Sequence, residues 1–305
     1  MNNVMTVTKV KQTPNVGGDK FKADPNLYGL YDSNGGYPLG IVKRNFNLMQ
    51  PSEVIEGVEK CLKTINGVDM NKLQYHVMRD GAKHRLSIPV YEYGFKNAKQ
   101  VNDITQVNLD ITWGYTGRDP FLLNLFGRRL WCLNGCTANM KGVQIKFKSF
   151  SDNVARLKFA CEQFTDVISK ADGMKLTAET FNKLVVTDAE RAAIISKVMN
   201  TDAKATAKMI KSGGLLPDGD KSISEPKQQT LLSLITAIRT EEDYAGQTAW
   251  GLFNGFTRFT NHDAPNVTKN NKSDIDDRID YLLNGGGAEI NAKANKAISE
   301  LLTIA

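Results

Sequence analysis

A chain of 305 residues with a formal net charge of +6 has ample length for a large core, in one large domain or two modest ones. No stretch is long and apolar enough to cross a membrane, and the opening MNNVMTVTKVKQ lacks the apolar run of a secretory signal, so a cytoplasmic protein without membrane contacts is expected. Cys61, Cys132, Cys136 and Cys161 are too few for a disulfide framework; Cys132 and Cys136 have no second pair, so buried thiols are favoured over a zinc site.

Charge is divided unevenly along the chain. Residues 1–150 hold 20 Lys and Arg against 12 Asp and Glu, an excess of eight, whereas residues 151–305 hold 19 against 21. Such asymmetry points the N-terminal half at a polyanion, with ordinary solubilising charge as the alternative.

Residues 1–27 show no amphipathic period and read as a loosely attached arm. Tyr28–Tyr31, a turn over 32–36 and Leu39–Val42 running into Lys43-Arg44 predict a hairpin. Pro51 opens a helix with Val54, Ile55, Val58, Leu62 and Ile65 at helical spacing, ended by Asn66-Gly67. A second hairpin is predicted from Leu73–Met78, a turn at Asp80-Gly81, and Arg85–Tyr93. Val107, Leu109, Ile111, Trp113 and Tyr115 then alternate with Asn108, Asp110 and Thr112, the period of a half-buried strand. Phe121–Leu133 is mostly apolar, broken by Gly127-Arg128-Arg129, and after Gly142 a strand puts Gln144, Lys146 and Lys148 on one face.

Beyond residue 150 the period becomes helical: Val154, Leu157, Cys161, Phe164 and Ile168 share a stripe. Thr187 and Glu190 have capping-box spacing ahead of Ile194, Ile195 and Val198. The Gly/Pro-rich residues 212–226 read as a linker, followed by a helix through Leu231, Leu232, Ile235 and Ile238. Over 245–261, Leu252, Phe253, Phe256 and Phe259 make one helical face, and Trp250, Asn254, Thr257 and Asn261 another. Helices over 275–283 and 290–302 complete the chain. The fold class is α+β, a strand-rich half (hairpin, helix, antiparallel strands) followed by a helical half. The expected divisions are an arm over 1–27, a basic β-rich domain over 28–150, and a helical region over 151–305.

No enzyme motif is present: there is no phosphate-binding GxxxxGK(S/T) loop, dinucleotide fingerprint, HExxH or GxSxG. His262 beside Asp263 has no nucleophile in a sequence-visible relation to it. No metal or cofactor is expected.

Tyr37-Pro38-Leu39-Gly40-Ile41-Val42, followed by Phe46 and a helix, resembles the opening of the phage and plasmid-like protein family catalogued as domain of unknown function 932. Arg128-Arg129-Leu130-Trp131-Cys132-Leu133-Asn134-Gly135 is similar to its arginine-bearing segment. Thr248–His262, TAWGLFNGFTRFTNH, resembles its closing segment most specifically. The chain departs from the family at Thr116-Gly117-Arg118-Asp119, in place of a His-Asp-Gly turn, and at Arg258, near an expected acidic residue. The resemblance implies a phage, prophage or plasmid setting in which DNA replication and recombination proteins are common. In outline the strand-rich half is also similar to phage single-strand annealing recombinases of the Red beta and RecT kind, which work as rings or filaments without a cofactor.

The expected function is therefore a phage or prophage protein that binds and anneals single-stranded DNA as a homo-oligomer in recombination. Lys43, Arg44, Arg118, Arg128, Arg129, Lys146 and Lys148 would contact phosphates, although surface ion pairing serves Arg128 and Arg129 equally well. Trp113, Tyr115 and Trp131 read first as core residues of the sheet, since aromatics on an alternating strand usually face the core, with stacking on bases as the alternative. Trp250, Asn254, Thr257 and His262 would form a structural seam or an interface. The alternatives are a phage factor that engages a host defence or replication protein through the Trp250 stripe, and an enzyme with a site around Asn254, His262 and Asp263.

Overall fold

The computed structural model describes residues 5–11, 26–33, 38–63, 65, 68–116, 119–129, 137–138, 144–147, 153–217, 220–264, 281–282 and 285–302. The chain is α+β, with two antiparallel sheets in the N-terminal half and helices in the C-terminal half. The first sheet has the order β1-β2-β3, formed by Val7–Lys11, Leu27–Asp32 and Pro38–Lys43. β2 and β3 are the predicted hairpin, but β1 falls in the segment expected to be a loose arm. Val7, Thr8 and Val10 are β-branched and stiff, which suits a pleated strand even without an alternating pattern. The Gln50 side chain serves Val7 as a further strand would: the Val7 N–H donates to Gln50 Oε1 (2.9 Å), and Gln50 Nε2 donates to the Val7 carbonyl (2.7 Å). The rest of the arm, residues 1–4 and 12–25, lies outside the described residues.

α1 (Pro51–Leu62) starts where expected, with Pro51 in its first turn and the Gln50 N–H donating to Glu53 Oε2 (2.9 Å). Its Val54, Ile55, Val58 and Leu62 are buried, as the spacing requires. Cys61 is disulfide-bonded, a cross-link that the sparse cysteine count argues against; the side chains of the other three cysteines lie outside the described residues.

The second sheet runs β4-β5-β6-β7-β8, namely Gln74–Met78, Lys83–Lys96, Asn102–Gly114, Phe121–Arg129 and Thr137–Ala138, with β9 (Gln144–Phe147) also paired to β7. The β4–β5 turn holds Arg79, Asp80 and Gly81 at φ of 48°, 51° and 92°. β6 departs from the half-buried strand its alternation predicts, because Asn108, Asp110 and Thr112 are as buried as the apolar residues between them. The buried charge on that face has its own partner: Arg85 Nε and Nη2 both donate to Asp110 Oδ2, at 3.0 and 2.7 Å, whereas the Thr112 hydroxyl is buried without one.

α2 (Asn153–Lys183) is far longer than the predicted stripe, and α3 (Asp188–Met199) begins on the predicted box, with the Thr187 N–H donating to Glu190 Oε2 (2.8 Å). α4 (Ala203–Ser212) is not anticipated by the sequence reading. α5 (Glu225–Ala245), α6 (Ala249–Arg258) with a π-helical turn over Phe259–Asp263, and α7 (Gly286–Leu301) follow. Between α4 and α5 the expected linker is pinned by buried Leu216 and Ile223, and the Leu216 N–H donates to Gln228 Oε1 (3.0 Å). The helix predicted over 275–283 lies outside the described residues except for 281–282.

Two compact units result: Met1–Tyr91 with Asn108–Leu125 and Val143–Ala171, and Glu92–Val107 with Phe126–Gly142 and Asp172–Ala305. β5, β6, β7 and α2 each supply residues to both units. In the second unit α5 and α6 approach closely at Gly255, where a Cβ would lie 2.4 Å from the Ile238 Cα. Phe253, Phe256 and Phe259 are buried in that unit.

Candidate nucleic-acid interface

In the first unit the β2–β3 ladder ends on Leu27 opposite Lys43, and one further bond, from the Arg44 N–H to the Asn26 carbonyl (2.7 Å), extends it. The Phe46 N–H then donates to the Lys43 carbonyl (2.9 Å), closing a turn that buries Phe46 and leaves Lys43, Arg44 and Asn45 exposed. Asn26, Lys43, Arg44 and Asn45 line an open cavity of about 590 Å³, two cations and two amides among the described residues. Among the described residues no carboxylate pairs with Lys43 or Arg44. Lys9 on β1 holds the turn in place by donating from Nζ to the carbonyls of Arg44 (2.9 Å) and Phe46 (2.7 Å). Its ammonium also lies 5.0 Å from the centre of the Tyr28 ring, and burial lowers its pKa.

The other expected phosphate contacts are less defined. Arg118, Lys148 and the expected stacking residue Trp131 lie outside the described residues, as do the side chains of Arg128, Arg129 and Lys146. On the backbone, Arg128 stands opposite Thr137 of β8 and Lys146 opposite Leu122, six residues away along β7.

Trp113 and Tyr115 are 3% and 1% exposed, so they are core residues of the sheet and neither offers a ring face to a base. An aromatic on an alternating strand turns toward the core, and here the core side holds a ring stack. His84 lies 5.2 Å from Trp113 and 5.8 Å from Tyr75 between ring centres, with Tyr115 edge-on at 5.1 Å. The Tyr115 hydroxyl donates to the Met49 carbonyl (2.7 Å). Gly40, the glycine of the Leu-Gly-Ile-Val segment, sits against the same residue, and a Cβ there would lie 2.3 Å from the Tyr115 carbonyl oxygen. That close approach explains why a glycine stands in the hairpin.

His84 has a measurable consequence. Burial lowers its pKa from 6.5 to about 4, against a smaller opposing contribution from the Gly81 backbone. Between those values the unfolded chain binds the proton and the folded chain does not. Stability is therefore full above about pH 6.5 and falls as the pH drops toward 4, by up to about 3 kcal/mol. Urea midpoints measured from pH 7 to pH 4 should show this loss, and His84→Phe should flatten that part of the profile; an identical profile in the variant would remove His84 as its source.

In the second unit the Trp250 stripe is buried. Trp250 Nε1 donates to Asp103 Oδ2 (2.9 Å), while Asn254 Nδ2, Thr257 Oγ1 and Asn261 Nδ2 donate to the carbonyls of Trp250 (2.8 Å), Asn254 (2.8 Å) and Thr257 (2.7 Å). These side chains thus bond mostly to their own helix. His262 lies in the π-helical turn, and Arg258 bridges Glu241 (3.5 Å) and Asp263 (3.6 Å). Burial raises the Asp263 pKa and Arg258 opposes it. Among the described residues no group of His, Cys, Asp and Glu is arranged to hold a metal ion, and no helix is long and apolar enough to cross a membrane.

The sequence reading located Lys43 and Arg44 but missed Lys9, Asn26 and Asn45. The β-branched run around Lys9 was the available sign that Val7–Lys11 is a strand. Residues 38–283 match the family model described as Domain of unknown function (DUF932). No curated protein and no solved structure matches the chain.

Proposed function

For a chain that belongs to this family of unknown function, we propose a role as a DNA-binding protein that holds single strands by their phosphates at the β2–β3 turn. The observation that carries this reading is the pair of exposed cations, Lys43 and Arg44, in a cavity that among the described residues is lined otherwise by the amides of Asn26 and Asn45. Unpaired cations at a fixed turn bind a polyanion by releasing its counterions, without needing a nucleophile, metal or cofactor. Lys9 contributes by fixing the turn, and the excess of eight positive charges before residue 151 gives the surrounding chain the same sign.

The fuller proposal is a phage or prophage protein, acting in the cytoplasm of a bacterial host, that anneals complementary strands as a homo-oligomeric ring or filament. Annealing asks only for an electrostatic track with bases left accessible, which suits a site of this chemistry.

Fluorescence anisotropy of a labelled oligothymidylate across a salt series tests the reading. Affinity should fall steeply with salt, and Lys43→Ala with Arg44→Ala should reduce the log–log slope by about 1.4, from two contacts at about 0.7 each on single strands. An unchanged slope would remove both residues from the site. Absence of salt-sensitive binding by the parent would defeat the DNA reading altogether.

A further inference from the structure

The strand register divides the β1-β2-β3 sheet into two dissimilar faces. One carries Val7, Leu30 and Val42, all buried. The other carries the rows Thr8–Tyr31–Pro38 and Val10–Gly29–Ile41, then Leu27–Lys43. Outward positions on a sheet of this kind are ordinarily polar. Here Val10 and Ile41 are 47% and 55% exposed, with half-buried Tyr31 and Leu27 beside them. Gly29 between them contributes no side chain and is itself buried, so the exposed apolar surface is that of Val10 and Ile41, two inter-strand spacings apart, about 10 Å.

The last row of this face ends on Lys43, next to Arg44, so the apolar surface runs directly into the unpaired cations. A surface that is apolar at Val10, Ile41, Tyr31 and Pro38, edged by the Thr8 hydroxyl and cationic at its end, matches a ligand with π faces on one side and anionic groups on the other. Single-stranded nucleic acid has that character, whereas a duplex stacks its bases away from contact and presents phosphate. We propose that this face is the base platform of the protein: bases of a single strand lie on Val10, Ile41 and Tyr31, while the strand's phosphates meet Lys43 and Arg44. The proposal rests on the anion site at Lys43 and Arg44, and it replaces Trp113 and Tyr115 as the base-contacting residues.

Val10→Thr with Ile41→Thr keeps β-branching and changes only exposed side chains, so the full-length variant should retain the parent's urea midpoint. Its affinity for oligothymidylate should fall about ten-fold or more with the salt slope unchanged, while its affinity for inorganic polyphosphate stays at the parent value. Lys43→Ala with Arg44→Ala should weaken both ligands. As a second measurement, a strand carrying 4-thiothymidine should photocross-link to the tryptic peptide containing Tyr31, and a duplex of the same sequence should bind about ten-fold more weakly. Parent-like oligothymidylate binding by the threonine variant would overturn the platform and leave the cation site standing. Loss of both ligands only in the alanine variant, with equal affinity for duplex and single strand, would likewise overturn it. If the threonine variant lost mass by light scattering and lost DNA binding only with that loss, the face would be a contact between copies. Binding of anionic phosphatidylserine vesicles in preference to the single strand would assign the face to a lipid surface. If no variant changed binding to either anion, the cation site itself would fail.

Discussion

Replacing Arg85 by leucine should destabilise the first unit by about 3–5 kcal/mol, because it strands a buried carboxylate. Asp110 is 0% exposed; its Oδ2 takes both Arg85 bonds, and a hydrogen bond from the Ser87 side chain also favours its charged form. Burial already raises the Asp110 pKa, with Arg85 as the largest opposing influence. Without the guanidinium the pKa rises further. An acid whose folded pKa lies above its unfolded value loses stability as pH rises, so the variant's deficit should be largest at neutral pH and shrink on acidification. Substituting both partners, Arg85→Leu with Asp110→Leu, should recover much of the loss, since an apolar pair incurs no charge burial. Urea denaturation of the three proteins at pH 7 and pH 5 measures all of this. A single variant as stable as the parent at pH 7 would show that the pair is not what makes the polar face of β6 tolerable.

Trp250→Ala should be of similar size in the second unit, about 3–5 kcal/mol, the range for truncating a large buried aromatic. Trp250 is 2% exposed, packs edge-on against Phe95 at 5.6 Å between ring centres, and lies 6.2 Å from Phe253. It also carries the indole N–H that Asp103 accepts. Trp250→Phe separates the two contributions by keeping a buried ring and deleting only the donor, and about 1–3 kcal/mol should remain as loss. Thermal and urea melts of both variants are the measurement. Unchanged melting with lost self-association would instead make the tryptophan an assembly contact and move attention from the β2–β3 turn to α6.

These two residues illustrate how differently local pattern and packing are written in the chain. Alternation over Val107–Tyr115 is enough to announce β6, and helical spacing after Pro51 is enough to announce α1, because backbone periodicity acts over a few neighbours. The hairpin strand running into Lys43-Arg44 was legible for the same reason, as was the capping box at Thr187. Burial on both faces of β6 was not legible, since Asp110 is acceptable inside only through Arg85, 25 residues earlier in sequence. Nor was β1, whose stability as a strand comes from β2 and from the side chain of Gln50, 43 residues beyond Val7.

The candidate site divides along the same line. Sequence by itself determined the α+β class, the hairpin, the excess of positive charge before residue 151 and the exposure-prone pair Lys43-Arg44, because composition and short periods are local properties. Tertiary structure alone decided that Trp113 and Tyr115 belong to a buried stack with His84, and that Lys9 reaches across to the Arg44 and Phe46 carbonyls. It alone left Val10 and Ile41 outward on either side of Gly29. Which side of a strand faces water depends on what covers the other side, and that covering comes from residues remote in the chain.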